Sequence, residues 1–502
     1  MARKPELQEG FVLLDNSTRM DAISILFEHP VETVRADEPA AVQKALAALQ
    51  AGLDRGLHAA GFFSYELGYV LEPKLAPRIP ANRAVPLLWF GLYKEPREMR
   101  GAEVQAWLRA EAIGDPTLGA LTHSWSQEDY LARFEKVQAN IRSGDIYQLN
   151  LTFKAKFHLE GSPLALYRDL RLKQRVAYGG LVDTGAATIL SASPELFIEQ
   201  HGRVISTRPM KGTAPRAGTH EGDREVRQTL SSDIKSRAEN LMIVDLMRND
   251  LGRIAELGSV SVTDLFTVET FQTLHQMTSG VRAVLKPDVT LEDLLKAIFP
   301  PGSVTGAPKI RAMELISELE TEPRGVYCGA IGRISPDGKV LFNVAIRTAV
   351  IDRDGNGEMG IGSGLVADSQ GVKEHEECLL KMKFLTDPVR RFELIETMLH
   401  EPDKGIWLLE RHIQRLATSA GYFGFPYDEA RVCDRIGAAL EGHEQERLRV
   451  RLLLDEEGGV SVTVSPQPAS APGAVMRYVV SDTRVSSGDL FLYHKTTRRD
   501  LY

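Results

Sequence analysis

The stretch TRPMKGTAPR, residues 207–216, closes an apolar run with a lysine set between methionine and glycine. Taken alone, it reads as a surface turn carrying a solvated Lys211. Its company points elsewhere. The upstream run SASPELF (191–197) places Glu195 at the end of a preceding strand, and a hairpin between the two runs would bring Glu195 and Lys211 into one cavity. Downstream, RAENLMIVDLMRNDLGR (237–253) lies in a helix expected over about residues 233–249. With Leu241, Met242 and Val244 as the core face of that helix, Glu239 is left to point at the cavity.

Further out, KEHEECLLK (373–381) puts Glu374, Glu377 and Lys381 on one face of a helix expected over about residues 372–385. By spacing alone, Glu377 and Lys381 are an exposed helical ion pair. The glycine-rich turns PPGSVTGAPK (300–309) and GIGSGLVADS (360–369) offer backbone N–H groups that can approach a carboxylate closely.

Between these motifs the pattern alternates. Ser126 and Asp129 form a capping-box arrangement, followed by Tyr130, Phe134, Val137 and Ile141 at helical spacing, with Gly144 as the stop. TFKAKFHL, GGLVD, AATILSA, ELFIEQ and GRVISTRPM read as strands, and VYCGAIGRI and LFNVAIRTAVI as a hairpin about SPDGK. Residues 11–120 read as short strands joined by loops. TDPVRR (386–391) reads as a hinge, so the domain boundary is expected near residue 390.

Composition limits the function classes. A chain of 502 residues implies more than one domain, and 43% hydrophobic with 25% charged residues is ordinary for a globular protein. A net charge of -8 argues against nucleic acid or an anionic membrane as partner, but leaves room for an anionic small substrate in a local basic pocket. The three cysteines (Cys328, Cys378, Cys433) suggest no disulfide framework and no structural zinc site. No signal peptide or membrane-length apolar run is read, so a cytoplasmic protein is expected.

PMKGT, SPELF, AENLMIVDLMRNDLGR, FPPGSVTGAPK, GVYCGAIG, NVAIRT and GSGLVADSQ, in this order, closely resemble the chorismate-utilising enzyme family over about residues 10–385. The resemblance implies an α/β (α+β) sandwich of two large, mainly antiparallel sheets with outer helices, over residues 1–388. Within the family, lysine at the position of Lys211 belongs to members that form aminodeoxychorismate, whereas anthranilate-forming members carry alanine there. The implied route is covalent: the amine attacks C2 of chorismate, the 4-hydroxyl departs, and ammonia adds at C4 and expels the lysine.

By the same resemblance Glu195 is the general acid, and Glu239 and Glu377, with Glu374 nearby, hold Mg²⁺. Arg347, Lys381, Tyr327 and the Gly364 amide contact substrate carboxylates, with Thr305 and His275 as further pocket residues. For His275 a role satisfied inside the fold stands beside that one. Ser236 departs from the family pattern, in which an acid often precedes the metal-binding glutamate by three positions, and its presence would thin the outer metal shell. No glutaminase motif is present, so the resemblance implies a separate glutamine amidotransferase subunit as the source of ammonia. LLDNS (13–17) resembles the region where relatives bind tryptophan, although Asp15 departs from it.

Beyond the boundary, FELIETML, LLERHIQRL and VSSGDLFLYHKTTRRDLY resemble the fold-type IV pyridoxal phosphate (PLP) family. That resemblance implies PLP chemistry over residues 392–502, with Lys495 as the Schiff-base lysine and Arg415 near the cofactor phosphate. It suggests release of pyruvate and p-aminobenzoate from the aminated product. With few residues following Lys495, a partial α+β domain is expected. Three alternatives to C4 amination stay open at this point: anthranilate formation, an isochorismate- or salicylate-forming reaction with water, and an inactive chorismate-binding scaffold.

Overall fold

A computed structural model describes residues 9–271, 274–387, 391–443, 445–468, 475, 478–482, 484–486 and 489–498. Two large sheets carry the first part of the chain. One has 11 strands, ordered along its main path as Gly306–Ala307, Gln148–Glu160, Asn356–Leu365, Thr348–Asp352, Ala187–Ser193, Tyr178–Asp183, Val12–Asp15, Ile23–Phe27 and Arg97–Arg100. The other has 10, ordered as Met210–Pro215, Leu274–Val284, Val204–Arg208, Leu196–His201, Val340–Asn343, Ala330–Ile334, His58–Phe63, Leu88–Tyr93 and Glu32–Ala36, with Ser261–Thr270 also paired to Leu274–Val284. Neighbouring strands pair antiparallel, as between Tyr178–Asp183 and Ala187–Ser193 or His58–Phe63 and Leu88–Tyr93. Val12, Val182 and Ile189 from the first sheet pack with Phe62, Trp89 and Ile331 from the second in one buried cluster. The alternation of apolar and small residues along these strands is what lets both sheets bury a face there.

The expected capping box is formed. Ser126 accepts from the Asp129 amide at 3.1 Å, Asp129 accepts from the Ser126 amide at 3.1 Å, and the helix runs Gln127–Arg142. Asp233 caps the helix Ile234–Gly252 by accepting from the Ser236 amide at 2.7 Å. The core face of that helix differs from the sequence reading. Leu241 is exposed, and Asn240, Ile243, Val244, Met247, Asp250 and Leu251 are the buried residues. Residues 11–120 also differ, since helices Val42–Asp54 and Gly101–Glu111 lie among their strands.

The largest correction concerns LFNVAIRTAVI. It is two strands rather than one: Val340–Asn343 pairs with Ala330–Ile334 in the 10-stranded sheet, and Thr348–Asp352 pairs with Ala187–Ser193 in the 11-stranded sheet. The chain therefore changes sheets over residues 344–347. It makes a second change between Ala187–Ser193 and Leu196–His201, over Pro194 and Glu195. The two passages bond to each other. Val344 N donates to Glu195 O at 3.0 Å, Ala192 N to Arg347 O at 3.1 Å, and Ser193 Oγ to Val344 O at 2.6 Å.

By compactness the chain divides into Met1–Thr213, Ser231–Glu269 and Gln276–Val389 as one unit, and Ala214–Leu230, Thr270–His275 and Arg390–Tyr502 as the other. The expected boundary near residue 390 falls on residues 388–390, outside the described residues. The division departs from a simple 1–388 and 392–502 split, because two segments from the earlier part of the chain join the second unit. That unit holds a four-stranded sheet ordered Gly405–Ile406, Leu394–Glu401, Leu448–Leu454 and Val460–Pro466, with helices Leu409–Phe423 and Glu429–Leu440. Its own core gathers Leu394, Met398, Leu416, Val432, Val450 and Leu452. Among the described residues no helix is long and apolar enough to cross a membrane.

Replacing Ser193 by alanine removes the acceptor of the buried Glu195 N–H, 3.2 Å away, together with the bond to Val344 O. An unfolding midpoint in urea should fall by the equivalent of about 1–3 kcal/mol.

Candidate active site

Glu195 sits on the first sheet-to-sheet passage, nearly inaccessible to solvent. Burial pushes its carboxyl up to about 7, against a hydrogen bond with Ser303, the charge of Lys211 and a hydrogen bond with the Met210 backbone. These opposing partners place Glu195 beside Lys211, as the hairpin reading expected: Leu196–His201 and Val204–Arg208 pair antiparallel, and Lys211 follows on the strand Met210–Pro215.

Lys211 is the centre of the cluster. Burial lowers its amine from the ordinary lysine value; the charge of Glu239 resists, that of Lys381 assists, and Glu195 and Glu377 resist further. Its Nζ lies against the backbone of Gly364, and a Cβ there would stand 2.6 Å from Nζ, so a side chain at 364 would push the amine aside. Gly212, next to Lys211, has a φ of +92°, and a Cβ on it would meet the Ser236 Cβ at 2.9 Å. Glycine is thus required at 212 by backbone conformation and by close approach together. Ser236 is small where the helix comes close to Gly212, and its amide completes the Asp233 cap.

The acidic side is also assembled. Burial raises the Glu239 carboxyl, Lys211 and Lys235 oppose this, and Glu374 and Glu377 reinforce it through like charge. Burial would raise Glu377 too, but the charge and hydrogen bond of Lys381, then Lys211 and Lys235, hold it below the usual range. Lys381 Nζ lies 2.8 Å from Glu377 and donates to Gly362 O at 2.8 Å. The helical ion pair is therefore real, and Lys381 also acts on Lys211. Among the described residues no group of three His, Cys, Asp or Glu side chains forms a ready metal cage.

Arg347 occupies the second sheet-to-sheet passage with φ +51°, an uncommon conformation for a residue with a side chain. Burial lowers its pKa to about 10, and among the described residues no carboxylate pairs with it. A desolvated, uncompensated guanidinium is costly unless an anion joins it. Tyr327 is buried with its ring against Gly360, on the strand that also carries Gly364. The Thr305 hydroxyl donates within its own turn, to Pro301 O and Gly302 O at 3.2 and 3.1 Å, so its first role is to shape the turn that presents Ser303.

Two predicted sites make contacts of their own. The ring nitrogens of His275 are taken by Thr270 Oγ1 at 3.0 Å and Asp223 Oδ1 at 2.8 Å, and all three residues belong to the second unit. Both ring nitrogens of His275 are thus satisfied within the fold. In the C-terminal part, buried Glu396 accepts two bonds from Arg415, at 2.7 and 2.5 Å, and contacts His412 at 2.8 Å and Lys495 at 3.7 Å. The fork of Arg415 and the amine of Lys495 thus converge on one carboxylate. That arrangement does not match an arginine presented to a phosphate beside a lysine presented to an aldehyde. In the region of LLDNS, the Asp15 carboxylate is already filled by Ser24, Tyr167 and Arg171 at 2.9, 3.1 and 2.8 Å.

Two residues escaped the sequence reading. Ser303 acts to lower the Glu195 carboxyl, and its only signal was membership of the PPGSVTGAPK turn. Gln148 is buried, its amide nitrogen would stand 3.1 Å from a Cβ at Gly364, and among the described residues neither of its amide atoms has a hydrogen-bond partner. Buried amides without partners are uncommon and mark places where something polar is to be bound. Gln148 opens a strand whose residues alternate polar and apolar, so it carried no signal of its own.

Residues 10–387 match the family model described as chorismate binding enzyme. The chain belongs to that family. Residues 393–502 match the model for class IV amino-transferases. Aminodeoxychorismate synthase component 1 of Klebsiella aerogenes is 39% identical over 341 residues, covering 64% of this chain and 75% of the relative. Anthranilate synthase component 1 of Streptomyces coelicolor is 40% identical over 287 residues, covering 57% of this chain and 56% of the relative. Among solved structures, anthranilate synthase component I of Streptococcus pneumoniae is 29% identical with a TM-score of 0.64, covering 72% of this chain and 92% of that one. The chain is thus a chorismate-utilising enzyme, and overall identity does not separate the aminodeoxychorismate and anthranilate branches.

The buried Glu195 gives a stability test. Its carboxyl is protonated more readily in the folded than in the unfolded chain, so the fold loses stability as pH rises from about 4.5 to about 7 and stays penalised above that. Glu195→Gln should therefore stabilise the protein by about 3 kcal/mol at pH 8. The gain should shrink toward zero below about pH 4.5, as read by thermal melts across pH.

Proposed function

We propose that this enzyme aminates chorismate at C4, giving 4-amino-4-deoxychorismate through a covalent adduct on Lys211. The observation that carries this reading is a buried lysine with a lowered pKa beside a buried glutamic acid raised to about 7. A lysine nucleophile needs a neutral amine and a hydroxyl leaving group needs a proton, and each shift moves its group in the direction its role requires.

The lone pair of Lys211 Nζ attacks C2 of the ring. The ring double bonds shift, the C4–O bond breaks, and the proton of Glu195 leaves with the hydroxyl as water. Ammonia then attacks C4, the double bonds shift back, and the C2–Nζ bond breaks to return the amine. The net change exchanges hydroxyl for amino and releases water. Arg347 offers its unpaired guanidinium to a substrate carboxylate, and Gly364 leaves room for the reacting amine. The unpartnered Gln148 amide stands beside that amine, where it can hold the incoming ammonia. Glu239, Glu374 and Glu377 are the hard oxygen donors suited to Mg²⁺, which commonly keeps waters and uses only one or two protein carboxylates along with substrate oxygens. Such a cation would screen these carboxylates from an anionic substrate. Ammonia is assigned to a separate glutaminase subunit; the relatives named as component 1 support a partnered enzyme.

The alternative within the family is anthranilate formation, favoured by relatives of equal identity. Incubation with chorismate, Mg²⁺ and ammonium separates the two by product. Wild type should give aminodeoxychorismate without pyruvate, and Lys211→Ala should lose it by 100-fold or more, on the order of a removed nucleophile's contribution. Anthranilate with pyruvate from wild type would overturn the assignment. The pH profile of kcat/KM should be a bell, its acid limb set by deprotonation of Lys211 and its alkaline limb by loss of the Glu195 proton. Glu195→Gln should remove the alkaline limb and lower the rate by about 10²–10⁴-fold.

A further inference from the structure

Lys211 lies on Met210–Pro215, the end strand of the 10-stranded sheet, whose neighbour is Leu274–Val284. An end strand has a ladder on one side and frays more readily than an interior one. The chain passes from the first unit into the second directly after Thr213, two positions beyond the nucleophile, and Leu274–Val284 likewise begins in the second unit. Whatever fixes residues 214–230 and 270–275 therefore fixes one end of each of these two strands.

Within the second unit that fixing is dense. Arg216 Nε donates to both oxygens of Asp223 at 3.0 and 2.8 Å, its Nη1 to Phe271 O at 2.8 Å, and its Nη2 to Tyr422 O at 3.1 Å. The guanidinium also lies 4.2 Å from the centre of the Tyr422 ring, and the Tyr422 hydroxyl donates to Ala217 O at 2.7 Å. Asp223 accepts from Ala217 N at 3.0 Å and contacts His275, so both segments join one knot. Arg216 and Asp223 are nearly inaccessible to solvent, which strengthens a charge-assisted pair and a cation–π contact alike. Tyr422 belongs to the helix Leu409–Phe423, in the part of the chain that matches class IV amino-transferases.

We propose that this knot is a positioning device for the amination reaction: Tyr422, acting through Arg216, anchors the strand that carries Lys211. The inference rests on Lys211 being the nucleophile. It gives the C-terminal part a role that needs no chemistry of its own, and it gives buried His275 a reason to be where it is.

The test uses the full chain with Tyr422→Ala, Tyr422→Phe and Arg216→Lys. Chorismate consumption at saturating ammonium, product identity and amide hydrogen exchange over residues 210–230 are measured together. Tyr422→Ala should lower kcat roughly tenfold or more with a smaller change in KM, since misplaced reacting groups lose rate before binding. It should also speed exchange at 210–217. Tyr422→Phe keeps the ring over Arg216 and should retain most of the rate. Arg216→Lys keeps the charge but loses the fork, and should resemble Tyr422→Ala; it covers the case in which loss of the ring unfolds the C-terminal part. Unchanged kcat in Tyr422→Ala and Arg216→Lys would overturn the proposal, as would unchanged exchange at 210–217 in both. A wild-type product other than aminodeoxychorismate would count against the amination reading, while the variant-to-wild-type ratios still decide the knot.

Discussion

Two chain passages between the large sheets run side by side at residues 193–196 and 343–348, and the site is built on the hydrogen bonds between them. A backbone that leaves a sheet in a buried place abandons its ladder, and each freed N–H or C=O must find another partner. Here each passage supplies the other: Val344 N serves Glu195 O, Ala192 N serves Arg347 O, and Ser193 Oγ serves Val344 O. Glu195 and Arg347 are consequently fixed to the same short stretch of irregular backbone. The positive φ of Arg347 is a local strain held in place by that arrangement.

Electrostatics follow from where these groups are held. Burial makes a charged glutamate, a charged lysine and an uncompensated arginine all unfavourable in the free enzyme. Burial favours the protonated form of Glu195 and the neutral form of Lys211, and it leaves Arg347 ready to meet an anion. On the proposed reading a dianionic substrate answers the last, and the chemistry uses the first two. Stability is forgone where catalysis needs it to be, as enzymes commonly arrange.

Much of this was legible in the residues. The cap at Ser126, the helix carrying Glu239, the hairpin joining Glu195 to Lys211 and the glycine at 364 all follow from local patterns that tertiary packing did not override. The break inside LFNVAIRTAVI was not legible, because an apolar run looks the same whether it stays in one sheet or crosses to another. For the same reason Leu241 was misplaced: the helix has apolar residues on several faces, and only packing decides which is inside. Gln148 was hidden because a polar residue in a strand signals function only once its surroundings are known to be closed. Tyr422 and Arg216 lie about 200 positions apart, and no local pattern links them.

The most direct test of the covalent account is intact-protein mass spectrometry after mixing enzyme, Mg²⁺ and chorismate without ammonia. Attack by Lys211 with loss of the 4-hydroxyl predicts a species heavier by chorismate less one water, with the added mass on the peptide containing Lys211. It should disappear on addition of ammonium and be missing in Lys211→Ala. No adduct on a wild-type enzyme that turns over with ammonia, or an adduct that persists in Lys211→Ala, would contradict the account.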